Sequence, residues 1–130
     1  MYFVKKKWTT AKSCNYKGSQ YDSSFEMQHA MFLDSELKDG RIKSWEKQVK
    51  IPLIVNNYLI CNYYIDFIVY HNDGVKEYVE TKGWATDVWK MKWKLFEALF
   101  SDLPDVKLTI IQQGKMSFRH AKKLKLNKKI

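Results

Sequence analysis

Three charged residues interrupt two segments whose composition otherwise predicts β-strands. In residues 64–84, YIDFIVYHNDGVKEYVETKGW, runs of β-branched and aromatic residues flank an Asn-Asp-Gly tripeptide, which predicts a hairpin. Asp66 lies in the first run, and Glu80 and Lys82 lie in the second. Charges inside strands cost stability unless they are paired, solvated or bound to a metal. What these three residues can do together therefore depends on whether they share a face.

The length of the hairpin loop decides which side chains meet. Because strand side chains alternate, Glu80 and Lys82 share one face of the second strand. A two-residue turn would set Asp66 opposite Thr81 and leave Glu80 on the other face. A three-residue loop, with Gly74 in the left-handed conformation, would instead pair Asp66 with Glu80. The sequence permits this second register, which puts both acids and the lysine on one face.

Two carboxylates facing each other across a strand pair repel, and a divalent cation reverses the sign of that interaction. Oxygen ligands from one or two acids, with waters kept in place, suit Mg²⁺. A bound Mg²⁺ polarises a phosphoryl oxygen and lowers the pKa of a coordinated water, while a nearby lysine can offset the developing charge. This set of residues suits phosphodiester hydrolysis. The alternative is a solvated sheet face whose acids pair with neighbouring lysines.

A helix predicted over residues 24–38 adds a third acid. Ser23 and Glu26 form a potential capping box, and Gly40 is a stop signal. One stripe of this helix contains Glu26, Ala30, Leu33 and Leu37. A carboxylate therefore lies on the face that should pack inward. Glu26 is either a further acid of the site or only the capping-box acid, reaching back to the Ser23 amide.

The remaining periodicity predicts one sheet and a second helix. We expect strands over residues 42–51, 58–70, 75–82 and 106–111, the first ending at Pro52. The second helix should run from Asp87 to about residue 100, with Thr86 as its N-cap. Two apolar stripes of this helix indicate core packing: Val88, Met91, Leu95 and Leu99 form one, and Trp89, Trp93, Phe96 and Phe100 form the other. The order helix, three-stranded meander, helix, strand predicts an α+β fold.

The net charge of +9 is concentrated at the two ends of the 130-residue chain. Residues 1–20 and 114–130 carry 12 of the 23 basic residues and none of the 14 acidic ones. We expect an irregular basic N-terminal arm over 1–20, a core over 21–113 and a basic tail over 114–130. Such ends favour a polyanion such as DNA over a role in solubility alone.

The other bulk features narrow the class of protein. We find no apolar run long enough to span a bilayer and no secretory leader, so we expect action in the cytoplasm without a membrane. Cys14 and Cys61 have no metal-binding spacing, which indicates free thiols.

The order of the candidate residues resembles the PD-(D/E)XK nuclease superfamily. Glu26, Asp66 and the tripeptide Glu80-Thr81-Lys82 follow that order, and the superfamily's αβββαβ core would cover about residues 24–111. The segments YIDFIVY, EYVETKGWATD and WKMKWKLF are similar to small phage-type nucleases related to Holliday-junction resolvases. The proline that precedes the aspartate in the superfamily is Ile65 here.

The resemblance implies roles for individual residues. Asp66, Glu80 and the Thr81 carbonyl would hold Mg²⁺ or Mn²⁺, Glu26 would assist directly or through water, and Lys82 would serve catalysis. Among the lysines of the second helix, Lys92 is preferred over Lys90 and Lys94 as a DNA contact. The basic tail adds four candidate DNA contacts: Lys115, Arg119, Lys122 and Lys123.

We therefore expect a Mg²⁺-dependent DNA endonuclease of a phage or mobile element, acting in the host cytoplasm. By analogy with the resolvases, branched or junction DNA is the first expected substrate and a homodimer the expected assembly. A sequence-specific nicking or cleaving enzyme of the same fold is one alternative. Two further alternatives are a non-catalytic DNA-binding module with a degenerate site and a regulator that binds proteins.

Overall fold

A four-stranded sheet organises the described part of the chain, residues 14–113 and 118–125, in this computed structural model. The elements are β1 (Cys14–Tyr16), β2 (Ser19–Tyr21), α1 (Ser24–Lys38), β3 (Ile42–Val55), β4 (Tyr58–His71), β5 (Lys76–Lys82), α2 (Asp87–Phe100) and β6 (Val106–Gln112). The sheet has the order β3-β4-β5-β6, and β1 and β2 form a separate hairpin. The predicted α+β class and the order of elements over residues 24–111 are confirmed.

The topology places the strand that carries Glu80 and Lys82 inside the sheet. β3, β4 and β5 form an antiparallel meander, and β6 then pairs with β5 in parallel. Parallel neighbours need a crossover connection, which α2 supplies between β5 and β6. β5 therefore has a hydrogen-bonded neighbour on each side, and its end is a fixed position for functional side chains.

The ribbon formed by β3 and β4 is longer than expected. The strand predicted to end at Pro52 continues to Val55, and Pro52 pairs with Asn62. β3 is an edge strand, where a residue without an N–H is tolerated. Asn56 and Asn57, with φ of 50° and 70°, then form the two-residue left-handed turn that closes such a ribbon.

The N-terminal prediction is wrong where the structure can be compared with it. An irregular arm was expected over residues 1–20, but residues 14–21 form the β1–β2 hairpin around Lys17 and Gly18, both with positive φ. Tyr21 is buried in the core beside α1, and the Tyr16 hydroxyl donates to Asp34 at 2.8 Å. Apolar and hydrogen-bonding side chains thus attach this segment to the core. Residues 1–13 lie outside the described residues.

The C-terminal segment has no regular structure over residues 118–125, and it contacts α2. The Phe118 ring lies 5.5 Å from the Trp89 ring. Further along, Glu97 accepts hydrogen bonds from the Ala121 N–H and from His120. Part of the predicted basic tail therefore follows the helix beside the candidate site. Residues 114–117 and 126–130 lie outside the described residues.

Both helices have the predicted bounds because side chains cap them. The Ser23 hydroxyl accepts from the Glu26 N–H, and the Thr86 hydroxyl accepts from the Trp89 N–H, each at 3.1 Å. The stripes are only partly confirmed, since Leu37, Val88 and Met91 are exposed rather than packed. Each helix covers one face of the sheet, so apolar side chains on its flanks remain in solvent.

Two hydrophobic cores lie on opposite faces of the sheet, one beneath each helix. The α2 core contains Ile51, Leu53, Tyr63, Ile65, Ile68, Tyr78, Trp89, Trp93 and Phe96. The α1 core contains Tyr21, Ala30, Leu33, Ile42, Phe67, Val69 and Val79. Every second residue of a regular strand shares a face, so β4 must change face between Ile65 and Phe67. Asp66 lies at this change.

The side chains of β3 also switch from one face of the sheet to the other, beside the point where those of β4 do so. Trp45 packs against the α1 core, whereas Val49 packs against the α2 core, although regular alternation would place both on one face. Gln48, which precedes Val49, has φ of 51°, a left-handed conformation that non-glycine residues rarely adopt. This local irregularity of the backbone re-aims the side chains of β3 next to Asp66.

The β4–β5 loop has the three-residue form that the sequence permits. The His71 N–H donates to the Val75 carbonyl at 2.9 Å, and Gly74 has φ of 92°. The ladder pairs Phe67 with Val79, the register in which Asp66 and Glu80 occupy the next opposite positions, although the regular pairing ends before them. The predicted register is confirmed.

We expect Gly74→Ala to lower the free energy of unfolding by about 1–2 kcal/mol, because a side chain disfavours positive φ. A Cβ at this position meets no heavy atom within 4 Å, so backbone strain alone should account for the loss. Urea unfolding followed by tryptophan fluorescence measures it.

Gly83→Ala is the matched control, because this glycine lacks positive φ and its new methyl would lie 3.6 Å from the Gln113 side chain, an ordinary contact. We expect a change within about 0.5 kcal/mol. Equal losses of unfolding free energy in the two variants would show that the positive φ of Gly74 is not the cause of the loss.

Candidate functional site

The predicted acids and lysine meet where β4 and β5 separate. The regular ladder between these strands ends at Phe67 and Val79. One residue further, the Asp66 Oδ2 accepts hydrogen bonds from the Thr81 N–H at 2.9 Å and from the Thr81 hydroxyl at 2.8 Å. A charged side chain thus continues the connection between the strands after the backbone pairs stop. Hydrogen bonds to a carboxylate are stronger than neutral ones, so this connection is well fixed.

Glu80 lies next to Asp66 and is directed towards α2. The residue is 3% exposed and is therefore buried. The Oε1 accepts from the Asp66 N–H at 3.4 Å, and the Oε2 accepts from the Trp89 indole at 3.0 Å. The same indole N–H lies 3.1 Å from the Tyr63 hydroxyl. A buried carboxylate with these partners has a defined position.

Lys82 is two residues beyond Glu80 on the same strand. Its Nζ lies 3.5 Å from the Glu80 Oε2 and 4.7 Å from the centre of the Trp89 ring. The ammonium group is therefore attracted by both a carboxylate and an aromatic face. The predicted proximity of Lys82 to the acids is confirmed.

Glu26 approaches the site from the first turn of α1. It is 4% exposed, and its Oε1 accepts from the Asp22 N–H at 3.1 Å rather than from the Ser23 amide expected of a capping box. The Gln48 amide donates to the Glu26 Oε2 at 2.8 Å and also reaches the Asp66 Oδ1 at 3.2 Å. Glu26 is thus both a cap of its helix and a neighbour of the site, linked to Asp66 through Gln48.

Gln48, Trp89 and Tyr63 are site residues that the sequence interpretation missed. Gln48 looked like an ordinary polar residue of a strand, and its left-handed backbone has no signal in the sequence. Trp89 was assigned to a core stripe. A buried indole N–H needs an acceptor, however, so a tryptophan one helical turn into α2 was a usable signal that an acceptor lies opposite.

Burial and the negative charge of Asp66 destabilise the ionised forms of Glu80 and Glu26. Burial first, and then the negative charge of Asp66, raises the pKa of Glu80 to about 7, although Lys82 acts in the opposite direction. The same two causes raise the pKa of Glu26 to about 7. Both groups are therefore more easily protonated than ordinary glutamates. A bound cation would favour their ionised forms.

The donor set fits a hydrated Mg²⁺. Asp66 and Glu80 supply carboxylate oxygens at adjacent positions, and Mg²⁺ usually takes one or two carboxylates and keeps several waters. Within residues 14–113 and 118–125, no three His, Cys, Asp or Glu side chains already converge as a metal-binding group. The acids present suit an ion bound mainly through water and substrate, not a closed protein cage.

A cavity of about 310 Å³ opens above these residues. Its lining comprises Asp22, Gln48, Tyr63, Tyr64, Asp66, Glu80, Lys82, Thr86, Val88, Trp89 and Lys92. The structure therefore brings Lys92 to the acids, whereas Lys90 and Lys94 lie on α2 outside this lining. Glu26 contacts the lining through Gln48 and is not part of it.

Of the predicted tail contacts, the described ones, Arg119, Lys122 and Lys123, do not line the cavity. Arg119 and Lys122 are exposed, and Lys123 forms an ion pair with Asp102 at 2.8 Å. Lys115 lies outside the described residues. A surface ion pair of this kind contributes little to stability and leaves the lysine accessible to a stronger anion.

Fold and site together define an α+β domain with an acid- and lysine-lined cleft between two diverging strands. The chain belongs to the family described as Protein of unknown function (DUF1064), whose profile matches residues 5–118 and so includes the whole cleft. Comparisons with the curated proteins and with the solved structures gave no significant match. Within the described ranges, we find no helix with the length and apolar character to cross a membrane.

We predict that the contribution of Glu80 to the free energy of unfolding of the metal-free protein falls as the pH rises from about 4.5 to about 7. The pKa of Glu80 rises from 4.5 in the unfolded chain to about 7 in the folded protein. The folded state therefore binds more protons in this window, and stability is lost as they dissociate. Glu80→Gln removes this loss, so the variant should exceed the parent at pH 8 by on the order of 1–3 kcal/mol.

Urea unfolding in EDTA at several pH values measures the difference between Glu80→Gln and the parent. The difference should shrink as the pH falls to 4.5 and vanish below about pH 3.5, where the parental carboxyl is protonated in both states. Glu46→Gln makes the same substitution at an exposed position and is the matched control, so that a change common to both variants is not assigned to Glu80. A difference in the free energy of unfolding that does not change with pH would contradict the raised pKa of Glu80.

Proposed function

We propose that the protein is a Mg²⁺-dependent endonuclease that hydrolyses phosphodiester bonds in DNA. The observation that carries this proposal is that Asp66, Glu80 and Lys82 line one cavity at the end of β5. Two adjacent acids and a lysine form the minimal group for metal-assisted hydrolysis of a phosphodiester. The resemblance of their order to the PD-(D/E)XK superfamily supports the same reading.

The predicted acids and lysine have distinct roles in this proposal. Asp66, Glu80 and the Thr81 carbonyl would hold Mg²⁺ or Mn²⁺, and Glu26 would assist through Gln48 or water. When bound, the metal polarises a phosphoryl oxygen and lowers the pKa of a coordinated water. Lys82 is close enough to Glu80 to orient that water or to offset negative charge on the phosphate.

The charge distribution favours DNA as the polyanion. Lys92 lines the cavity and would contact the phosphate backbone near the cut, with Lys90 and Lys94 as flanking contacts. Arg119, Lys122, Lys123 and Lys115 would extend this basic surface. The resemblance to junction resolvases favours branched DNA and a homodimer, and a nicking enzyme of the same fold would use the same cleft.

A non-catalytic DNA-binding module is the second candidate, and one observation favours it. The three predicted acids already have protein partners: Thr81 for Asp66, Trp89 and Lys82 for Glu80, and Gln48 for Glu26. Such partners could be purely structural. The two candidates differ in whether the acids and Lys82 are needed for cleavage.

We expect Asp66→Asn and Lys82→Ala each to lower Mg²⁺-dependent cleavage at least about 100-fold, because each removes a group that acts on the reacting phosphate. Labelled duplex, flap, fork and four-way-junction DNA are incubated with the purified chain, with and without Mg²⁺. DNA affinity measured in EDTA should stay within about threefold, since the phosphate contacts that dominate affinity are retained.

Asp39→Asn and Lys38→Ala are the matched controls, because both residues are exposed at the end of α1 and neither lines the cavity. Both should cleave like the parent. Cleavage that survives Asp66→Asn, products that form equally without metal, or no product from any DNA would exclude the nuclease proposal and leave the binding module.

A second prediction concerns the lysines of α2. Lys92→Ala should weaken DNA binding and reduce the slope of log affinity against log salt by about 0.9, the effect of one lost phosphate contact. Fluorescence anisotropy over a series of NaCl concentrations measures both quantities. Lys38→Ala, at an exposed position at the end of α1, is the control, and if it changes the slope as much as Lys92→Ala does, the cavity is not the place where the DNA backbone is held.

A further inference from the structure

Exposed apolar side chains border the acid-lined cavity on two sides. Tyr64 on β4 and Val88 on α2 line the cavity and are 54% and 65% exposed. Met91, nearly one helical turn after Val88, is 67% exposed. A contiguous group of large apolar side chains beside a polar cavity is typical of a surface that contacts a ligand or partner.

Trp84 extends this group across the end of β5. It lies between Lys82 and Thr86, both of which line the cavity, and it is 76% exposed. The preceding Gly83 lies beside Gln113, just past the end of β6, so the loop is at the rim of the sheet. Trp84 follows Lys82 by two residues, and Tyr64 precedes Asp66 by two. Two aromatic rings therefore flank the candidate site along the sequence.

The neighbourhood of these rings indicates the chemistry of the occupant. Lys82 and Lys92 provide positive charge at the cavity, and Tyr64 provides a flat apolar face in its lining. Trp84 is not part of the lining, but its ring is exposed in the segment between the lining residues Lys82 and Thr86. A nucleotide has both complements, an anionic phosphate and a planar base. In duplex DNA the faces of the bases are covered by their neighbours, whereas an unpaired base exposes a face that an aromatic ring can stack upon.

We propose that Trp84 and Tyr64 stack on an unpaired nucleobase next to the phosphate held at the cavity, so that the site takes DNA with unpaired nucleotides beside the cut. This inference rests on the proposed function, because it assumes that a DNA phosphate occupies the cavity. It narrows the substrate class from DNA in general to single-stranded segments, such as flaps, gaps or the open centres of branches. Stacking tolerates every base, so no sequence preference is expected from these two rings.

Binding in EDTA tests the proposal without any cleavage. The full chain, Trp84→Ala and Tyr64→Ala are titrated into a labelled single-stranded oligonucleotide and into a blunt duplex of the same sequence. Each substitution should weaken single-strand binding about 5- to 100-fold, the effect of one lost stack, and leave duplex binding within about twofold. Trp84→Phe and Tyr64→Phe keep a ring and should restore most of the affinity.

Tyr58→Ala is the matched control, because Tyr58 is 72% exposed at the tip of the β3–β4 ribbon and does not line the cavity. It should bind both DNAs like the parent. Equal weakening of single strand and duplex, or no weakening of either, would overturn the proposal. A change of oligomeric state in Trp84→Ala with unchanged DNA affinity would also overturn it and assign the patch to a second copy of the chain.

The outcomes separate this inference from the nuclease proposal. If Trp84→Ala loses single-strand affinity and the parent shows no Mg²⁺-dependent cleavage, only the nuclease proposal is excluded. If cleavage depends on Asp66 but not on Trp84, and proceeds at equal rates on duplex and unpaired DNA, only the proposal that Trp84 and Tyr64 stack on an unpaired base is excluded.

Discussion

The carboxylate of Asp66 holds β5 against β4 at the point where their backbone ladder stops, and the candidate site depends on that interaction. Because its Oδ2 accepts both hydrogen bonds of Thr81, the end of β5 stays close to β4 without continuing the regular pairing. In an unbroken ladder Asp66 and Glu80 would face each other directly and repel. Here Glu80 is free to turn towards α2, and the two acids border a cavity that a cation and a phosphate can enter.

This arrangement carries a free-energy cost that other parts of the fold offset. Glu26 and Glu80 are buried deeply enough for the pKa of each to reach about 7. Gln48 adopts a left-handed backbone, a conformation worth about 1–3 kcal/mol of strain for a non-glycine residue. The two hydrophobic cores pack on opposite faces of the sheet, and β4 passes from one to the other at Asp66. Their packing fixes both backbones, so the acids remain close although they repel.

The parts of the structure that could be predicted are those with local causes. Ser23 and Thr86 set the starts of the helices through capping, and Gly74 set the loop length that pairs Asp66 with Glu80. The parts that could not be predicted depend on contacts between distant segments. Pro52 is tolerated because β3 happens to be an edge, and Gln48 reaches two acids because β3 changes face. Similarly, an apolar stripe does not reveal which members meet the core, so Val88 could not be recognised as exposed.

Trp89 shows that the hydrophobic core holds the acids of the cleft in place, whereas it does not hold the side chains at the rim. Its ring stacks on Trp93 at 5.8 Å within the α2 core, while its N–H donates to Glu80 and its face meets Lys82. The catalytic candidates are therefore positioned by the core itself, on an interior strand and a packed helix, which is where rigid positioning is available. Trp84 lies in a loop at the rim and has no such constraint from the core. Side chains in that position can adapt to a ligand, so the rim can vary without disturbing the positions of Asp66 and Glu80.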